Sequence, residues 1–535
     1  MFFKKLPAYI WVLIVIMLIG VVFRTYNIGE WLRFGPDQAR DAGLVGNILK
    51  NGESLPLLGP QAGNTLFYLG PAYYWLGYAS AYIFGANPPV FAYPIIFFSI
   101  LSLPLLFYFL RQFFSIPISL GLSFFYAASY FAIINSRYAS NTNLAPFFLL
   151  LFLLSIIKII GTGNGKKTIW YIFWGISLGI GVQLHTLLFV SLPLISFLAF
   201  LYLAKKRSLK LAGISLTLIF FAIANLSQIV YDLRYQGANI SGFFHGAQTQ
   251  SGGTGAILRN IKLVGACQFQ ANAQIIFPLE SRENCEILDI SKNFNSNPNI
   301  RGEISGIFYL VELALVLAFS LGGYYLLFKY LFKKETPEKQ KIFLAAAAVY
   351  NAVAFLIFIP VAGEIGARYF VILLFMPFLL LGLWFKAAAE AGWSAKTKKI
   401  IFGFLAAVLL FGNFFYLRSD ILDFKSGKAS DGRLSVLSEI VPIADYIADN
   451  SGPEKTAILD GERVSMDRFD KALMYLAAEK GVKISKSKSE EKAIRYFWIG
   501  LSEKGDGRDL VKKIKNHKIL DSTRSGNIWV YILEN

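Results

Sequence analysis

The chain has 535 residues, of which 55% are hydrophobic, 16% aromatic and 16% charged. Ordinary soluble domains carry roughly 25% charged residues, so this composition excludes one and points to a bilayer. The formal charge of +18 lies in short Lys/Arg runs between apolar stretches, a pattern of topology determinants that implies no nucleic-acid partner.

Apolar stretches at 6–22, 89–110, 144–160, 209–230 and 304–328 approach or exceed the roughly 20 residues needed to span a hydrocarbon core. The first follows Lys4-Lys5 and lacks a small-residue cleavage site. It reads as a retained signal anchor with a cytoplasmic N-terminus.

Residues 24–70 form the expected first outside loop, centred on Phe34-Gly35-Pro36-Asp37-Gln38-Ala39-Arg40-Asp41-Ala42. Pro36 suits a first helical turn, and Asp37 then meets the helix's positive end. A helix over 37–49 puts Asp37 and Asp41 on one face with Arg40 between them. Such a carboxylate can take a proton from an acceptor, and the guanidinium can hold a phosphate. An ordinary surface helix carries similar triplets. The next segment, 71–85, is short and rich in tyrosine, as in an interfacial or re-entrant helix.

Basic runs at Lys166-Lys167, Lys205-Lys206-Arg207, 333–341 and 396–399 mark cytoplasmic connections. Residues 135–143, Gln183-Leu184-His185, 231–303, 363–368 and everything after 417 then face out. Twelve apolar candidates are present, and parity requires an odd number of crossings; eleven are expected, with 71–85 not spanning, although thirteen would also satisfy parity.

Arg137, Asn141, Asn143, Gln183, His185, Arg368 and Tyr369 fall on that outer face as candidate donor- or acceptor-binding residues, with Arg40 and Asp41. Arg137 can equally snorkel at the interface, and Gln183 and His185 can bridge neighbouring helices. Cys267 and Cys285 share the long 231–303 loop, where a disulfide and two thiols are both compatible with the sequence. That loop is long enough to act as a lid or an acceptor platform.

The tail, 418–535, reads as a small soluble α/β domain. Helices are expected at 434–449, 468–480 and 508–517, and strands at 456–459, 494–499 and 528–533. The Lys486–Lys492 run reads as a solvated loop.

Phe34-Gly35-Pro36-Asp37-Gln38-Ala39-Arg40, Asn51-Gly52-Glu53, Gly70-Pro71-Ala72-Tyr73-Tyr74-Trp75, Ser136-Arg137-Tyr138-Ala139-Ser140-Asn141-Thr142-Asn143 and Gln183-Leu184-His185 occur in that order. Together they resemble the protein O-mannosyltransferase and aminoarabinose-transferase-like group of family C (GT-C) glycosyltransferases, akin to glycosyltransferase family 39. The resemblance covers most of 6–417, with motif-level likeness in the first half.

It implies a polytopic membrane fold in the cell membrane and a polyprenyl-phosphate sugar donor. It also implies an inverting transfer at the outer face, with Asp37 as the general base. The acceptor would be a hydroxyl or amine of a protein, lipid or glycan. Many relatives have Asp-Glu where this chain has Asp37-Gln38, which weakens the case for a divalent metal. The aminoarabinose transferases have a lysine where this chain has Leu69-Gly70-Pro71, so another cation must meet the lipid phosphate. The competing class, a lipid or glycan transporter or flippase, would place its charges inside the membrane.

Overall fold

The computed structural model describes residues 6–161, 167–250, 257–278, 285–288, 300–430, 435–485, 495–502 and 507–534. Lys166 and the Lys486–Lys492 run lie outside the described residues.

The membrane part opens with α1 (Ala8–Thr25), followed by two shorter helices, α2 (Pro36–Asn51) and α3 (Ala72–Phe84). Next come α4 (Tyr93–Leu110), α5 (Ile116–Ala128), α6 (Tyr130–Ser136), α7 (Ala145–Gly161), α8 (Thr168–Gly181) and α9 (Thr186–Lys205). The long loop begins after α10 (Leu211–Ala224) and α11 (Leu226–Arg234), and itself folds into α12 (Ala238–Gln250) and α13 (Ile257–Ile276). The bundle closes with α14 (Ile300–Phe332), α15 (Glu338–Phe358), α16 (Phe375–Glu390) and α17 (Ala395–Ser426).

Among the described residues, seven helices are long and apolar enough to cross a membrane, or nine if each of two bent pairs is one span. The chain is therefore a multi-pass membrane protein. A count of eleven requires α8 and α16, at 14 and 16 residues, to span as well.

The two bends have local causes. Between α5 and α6 the axis turns by 55° at Ser129, whose hydroxyl accepts from Ala132 N–H at 3.3 Å and donates to the Ile275 carbonyl at 2.8 Å. Between α10 and α11 it turns by 66° at Asn225, whose amide donates to the Gly179 carbonyl at 3.1 Å. Helices α8 and α10 approach closely because Gly175 and Gly179 present no side chain; a Cβ on Gly175 would lie 2.5 Å from the Thr217 carbonyl oxygen. Close contact of small residues substitutes in lipid for hydrophobic driving force.

The long loop is not an open lid along α13. Gln268 on α13 donates to Tyr324 Oη at 2.5 Å and to Asn351 Oδ1 at 2.7 Å, tying it into α14 and α15. Cys267 and Cys285, 18 positions apart, form a disulfide that fastens α13 to the short turn Glu286–Leu288.

Helix α17 continues to Ser426, beyond the expected boundary at 417. The C-terminal part adds β1 (Thr456–Gly461), β2 (Lys483–Ser485), β3 (Arg495–Leu501), β4 (Ile519–Ser525) and β5 (Ile528–Leu533), with α18 (Leu437–Asn450), α19 (Arg463–Glu479) and the short α20 (Arg508–Val511). The sheet order is β2-β1-β3-β5-β4, with β1 parallel to β2 and β3, and β5 antiparallel to β3 and β4. Residues 496–500 of β3 are all buried, as befits a central strand.

Candidate active site

Local sequence explains the start of α2. Proline at the first position has no N–H to satisfy, and Gln38 Oε1 accepts the Gly35 N–H at 3.1 Å. Gln38 Nε2 then donates to the Ala139 carbonyl at 2.8 Å, fixing the loop after α6. Thus Gln38 ties two loops together.

Asp37 stands on the first turn of α2 with its side chain 70% exposed, whereas Asp41 is only 8% exposed. Arg40 lies between them, with Nη1 3.1 Å from Asp37 Oδ1 and Nη2 2.8 Å from Asp41 Oδ1. Tyr74 on α3 donates its hydroxyl to Asp41 Oδ1 at 3.0 Å.

Burial pushes the Asp41 carboxyl up to about 6, against the opposing pull of Arg40 and Tyr74. Burial also acts to lower Arg40, but Asp41, Tyr74 and Asp37 outweigh it and hold the guanidinium protonated above its ordinary value. The triad therefore presents one exposed carboxylate, braced by an arginine that a buried carboxyl anchors.

The other turns at this end are tied to one another and to the start of α3. Asn141 Nδ2 donates to the Leu184 carbonyl at 2.6 Å, and Asn143 Nδ2 to the Tyr138 carbonyl at 2.9 Å. The turn Asn141–Leu144 packs on the turn Ala367–Leu373. Gln183 is buried; its Oε1 accepts from Ala72 N–H at 3.1 Å and its Nε2 donates to the Ala224 carbonyl at 2.7 Å. A Cβ at Gly70 would sit 2.2 Å from Gln183 Cγ, so the tight approach of these loops requires glycine there. That is the physical content of Gly70-Pro71.

His185 caps α9, its Nδ1 accepting from Leu187 N–H at 3.0 Å, and burial lowers it to about 4. At neutral pH it is therefore an uncharged imidazole with its proton on Nε2. Its ring meets Tyr369 edge-on at 5.6 Å. The exposed Arg368 guanidinium lies 5.2 Å from the Tyr369 ring centre. Burial raises the nearby Tyr138 phenol above its ordinary value, with Gln38 and the charges of Asp37, Arg368 and Arg33 as smaller influences.

Arg137 faces a different neighbourhood. Its Nη1 donates to the Tyr26 carbonyl at 2.7 Å and approaches those of Arg24 and Phe23, capping the end of α1. Its Nη2 is buried without a hydrogen-bond partner. A recess of about 150 Å³ is lined there by Arg137, Arg33 and Asp420 among apolar side chains. Arg33 pairs with Asp420 at 3.4 Å, and Tyr130 donates to the same oxygen at 2.9 Å.

Sequence reasoning missed Tyr74 as the partner of Asp41, the buried Tyr138 phenol beside Gln38, and the Arg33–Asp420 pair. Tyr74 and Tyr138 each lie inside a motif, Gly70–Trp75 and Ser136–Asn143, whereas Arg33 and Asp420 carried no such signal.

A divalent cation does not suit Asp37 and Asp41, because Arg40 already meets both charges and Asp41 is sealed by Tyr74. Among the described residues, no group of three His, Cys, Asp or Glu side chains gathers into a metal-binding cluster.

With this geometry, the chain resembles solved membrane transferases. The crystal structure of the Archaeoglobus fulgidus oligosaccharyltransferase in the apo form matches at TM-score 0.53 and 11% identity, over 95% of this chain and 71% of that one. The A. fulgidus oligosaccharyltransferase AglB, in complex with an inhibitory peptide and a dolichol-phosphate, matches at TM-score 0.51 and 14% identity over 89% of this chain. This chain spans 64% of the length of that relative. ArnT from Cupriavidus metallidurans, bound to undecaprenyl phosphate, is 13% identical over 98% of this chain and 97% of its own, but a TM-score of 0.43 carries no argument. No family model and no curated protein matches the sequence. The fold is that of the GT-C glycosyltransferases, as the ordered motifs imply.

Proposed function

We propose that the chain is an inverting glycosyltransferase that moves a sugar from a polyprenyl-phosphate donor to an acceptor hydroxyl or amine at the outer membrane face. The observation that carries this reading is the exposed Asp37 carboxylate, held by Arg40 where the turns of the bundle converge. The dolichol-phosphate bound to the A. fulgidus neighbour supports the donor class. The Cys267–Cys285 disulfide supports placing this face outside the cytoplasm.

In this mechanism Asp37 takes the proton as the acceptor atom attacks the sugar's anomeric carbon. The bond from that carbon to the phosphate oxygen breaks with inversion, and polyprenyl phosphate leaves. Arg40 and the exposed Arg368 meet the phosphate charge that grows in the transition state. Arg137 contributes through Tyr26 and the end of α1, and Asn141, Asn143, Gln183, His185 and Tyr369 shape the donor and acceptor walls.

The test is transfer by the purified chain from a panel of polyprenyl-phosphate sugars, with the product's anomeric configuration read by NMR. Inversion relative to the donor is expected. Retention would require a covalent intermediate and sink the single-displacement mechanism, while no transfer from any donor would revive the transporter class once acceptor supply had been controlled.

A further inference from the structure

A deep recess in the membrane part lies away from Asp37, at the opposite, lysine-rich end of the bundle. It measures about 500 Å³ and runs between the last turns of α7, the last turns of α9 and the first three turns of α15. Its wall is apolar, with Leu153, Ile156, Ile195 and Ile342, and its depth comes from the small side chains Ala199, Ala345 and Ala346. A recess of this shape facing lipid holds a hydrocarbon chain, since neither water nor a polar solute gains from that wall.

The mouth of the recess carries the opposite chemistry. Lys341 lines it and is half-buried, and Lys206 reaches it through an ion pair with Glu338 at 3.6 Å. Lys339 lies beside the end of α7, where a Cβ added at Gly161 would sit 3.9 Å from its Cγ. Glu338 offsets Lys206, and Lys341 and Lys339 add further positive charge where the apolar wall ends. Apolar depth under a cationic rim matches a lipid with one chain in the groove and an anionic headgroup above it.

We propose that this recess is a binding site for an anionic glycerophospholipid, separate from the transferase site. One acyl chain fills the space left by Ala199, Ala345 and Ala346, and the phosphate meets Lys341 and Lys206. The lipid then wedges α7, α9 and α15 at a fixed spacing. The same helices run to the far end, where α7 begins beside Asn143 and α9 beside His185.

Native mass spectrometry of the full chain, titrated with phosphatidylglycerol or phosphatidylcholine, tests the site. The first phosphatidylglycerol is expected to bind more tightly than phosphatidylcholine, with Lys206→Ala and Lys341→Ala each weakening it about fivefold. Glu338→Gln, which frees Lys206, should strengthen it. Ala346→Trp should block the first binding event by filling the groove. Equal affinity for the two lipids, or a phosphatidylglycerol preference that survives Ala346→Trp, would overturn the proposal, the latter by showing diffuse attraction to the lysines. Glu338→Gln adds a surface amide and removes no core packing, so it stays informative if a bulkier variant folds poorly.

Discussion

At the residue scale the Asp37–Arg40–Asp41 triad divides labour between two carboxyls by burial alone. Asp37 remains exposed to solvent, while Asp41 is buried, accepts from Tyr74 and pairs with Arg40. Burial raises Asp41 from 3.8 to about 6, so its carboxylate form opposes folding. The stabilising protonated form is fully present below 3.8 and is lost as pH rises through about 6. Relative to Asp41→Asn, the native chain should thus lose on the order of 3 kcal/mol across that window. Denaturant midpoints measured against pH in one detergent check this, and a constant difference between the two chains would refute it. Tyr74→Phe removes a buried hydroxyl donor and should cost about 1–3 kcal/mol at neutral pH. Thermal melts of matched preparations read that loss.

At the element scale, helix α2 is held from behind by the C-terminal part. Phe34 N–H donates to the Ser435 carbonyl at 2.9 Å, Ser435 Oγ donates to the Phe34 carbonyl at 2.6 Å, and Leu437 N–H donates to the Leu32 carbonyl at 2.9 Å. Phe34 and Tyr475 rings pack at 5.6 Å, and Lys50 pairs with Glu479 at 2.7 Å. The C-terminal part therefore splints the helix that carries Asp37. Ser435→Ala should cost about 1 kcal/mol of stability through the lost bond to Phe34. It should also lower transfer rate with little change in donor KM, because it loosens aim rather than affinity. Lys50→Ala, at an exposed pair, should change neither by much.

How far these elements are legible in sequence follows from where their signals lie. Helix α2 is legible because Pro36, Asp37 and the apolar spacing are local; the expected 37–49 is observed as Pro36–Asn51. Strands β2 and β4 are not, since β2 has three residues and β4 is mostly exposed, leaving no alternation to detect. The helix expected at 508–517 is only Arg508–Val511. Tyr74 sits 33 residues from Asp41 and Arg33 lies 387 from Asp420. Such pairs depend on the packing of whole helices, which no local pattern encodes.

At the scale of the whole molecule, the bundle has two chemically distinct ends. One gathers Asp37, Arg368, the disulfide and the sheet; the other gathers Lys206, Lys339 and Lys341. Positive residues favour the cytoplasmic side, so the proposed orientation has the first end facing outward. Both native cysteines are bonded, so a single cysteine introduced at exposed Lys428 or Lys206 reports sidedness. A membrane-impermeant maleimide should label Lys428→Cys in intact cells and Lys206→Cys only after permeabilisation. The reverse pattern would invert the topology.

The central claim is that Asp37 activates the acceptor. Sugar transfer from a radiolabelled polyprenyl-phosphate donor, compared between the native chain and Asp37→Asn at matched expression, tests it most directly. With Asp37 as the base, the rate should fall by roughly a hundred- to ten-thousandfold with donor binding retained. An Asp37→Asn chain that transfers sugar at the native rate would contradict it.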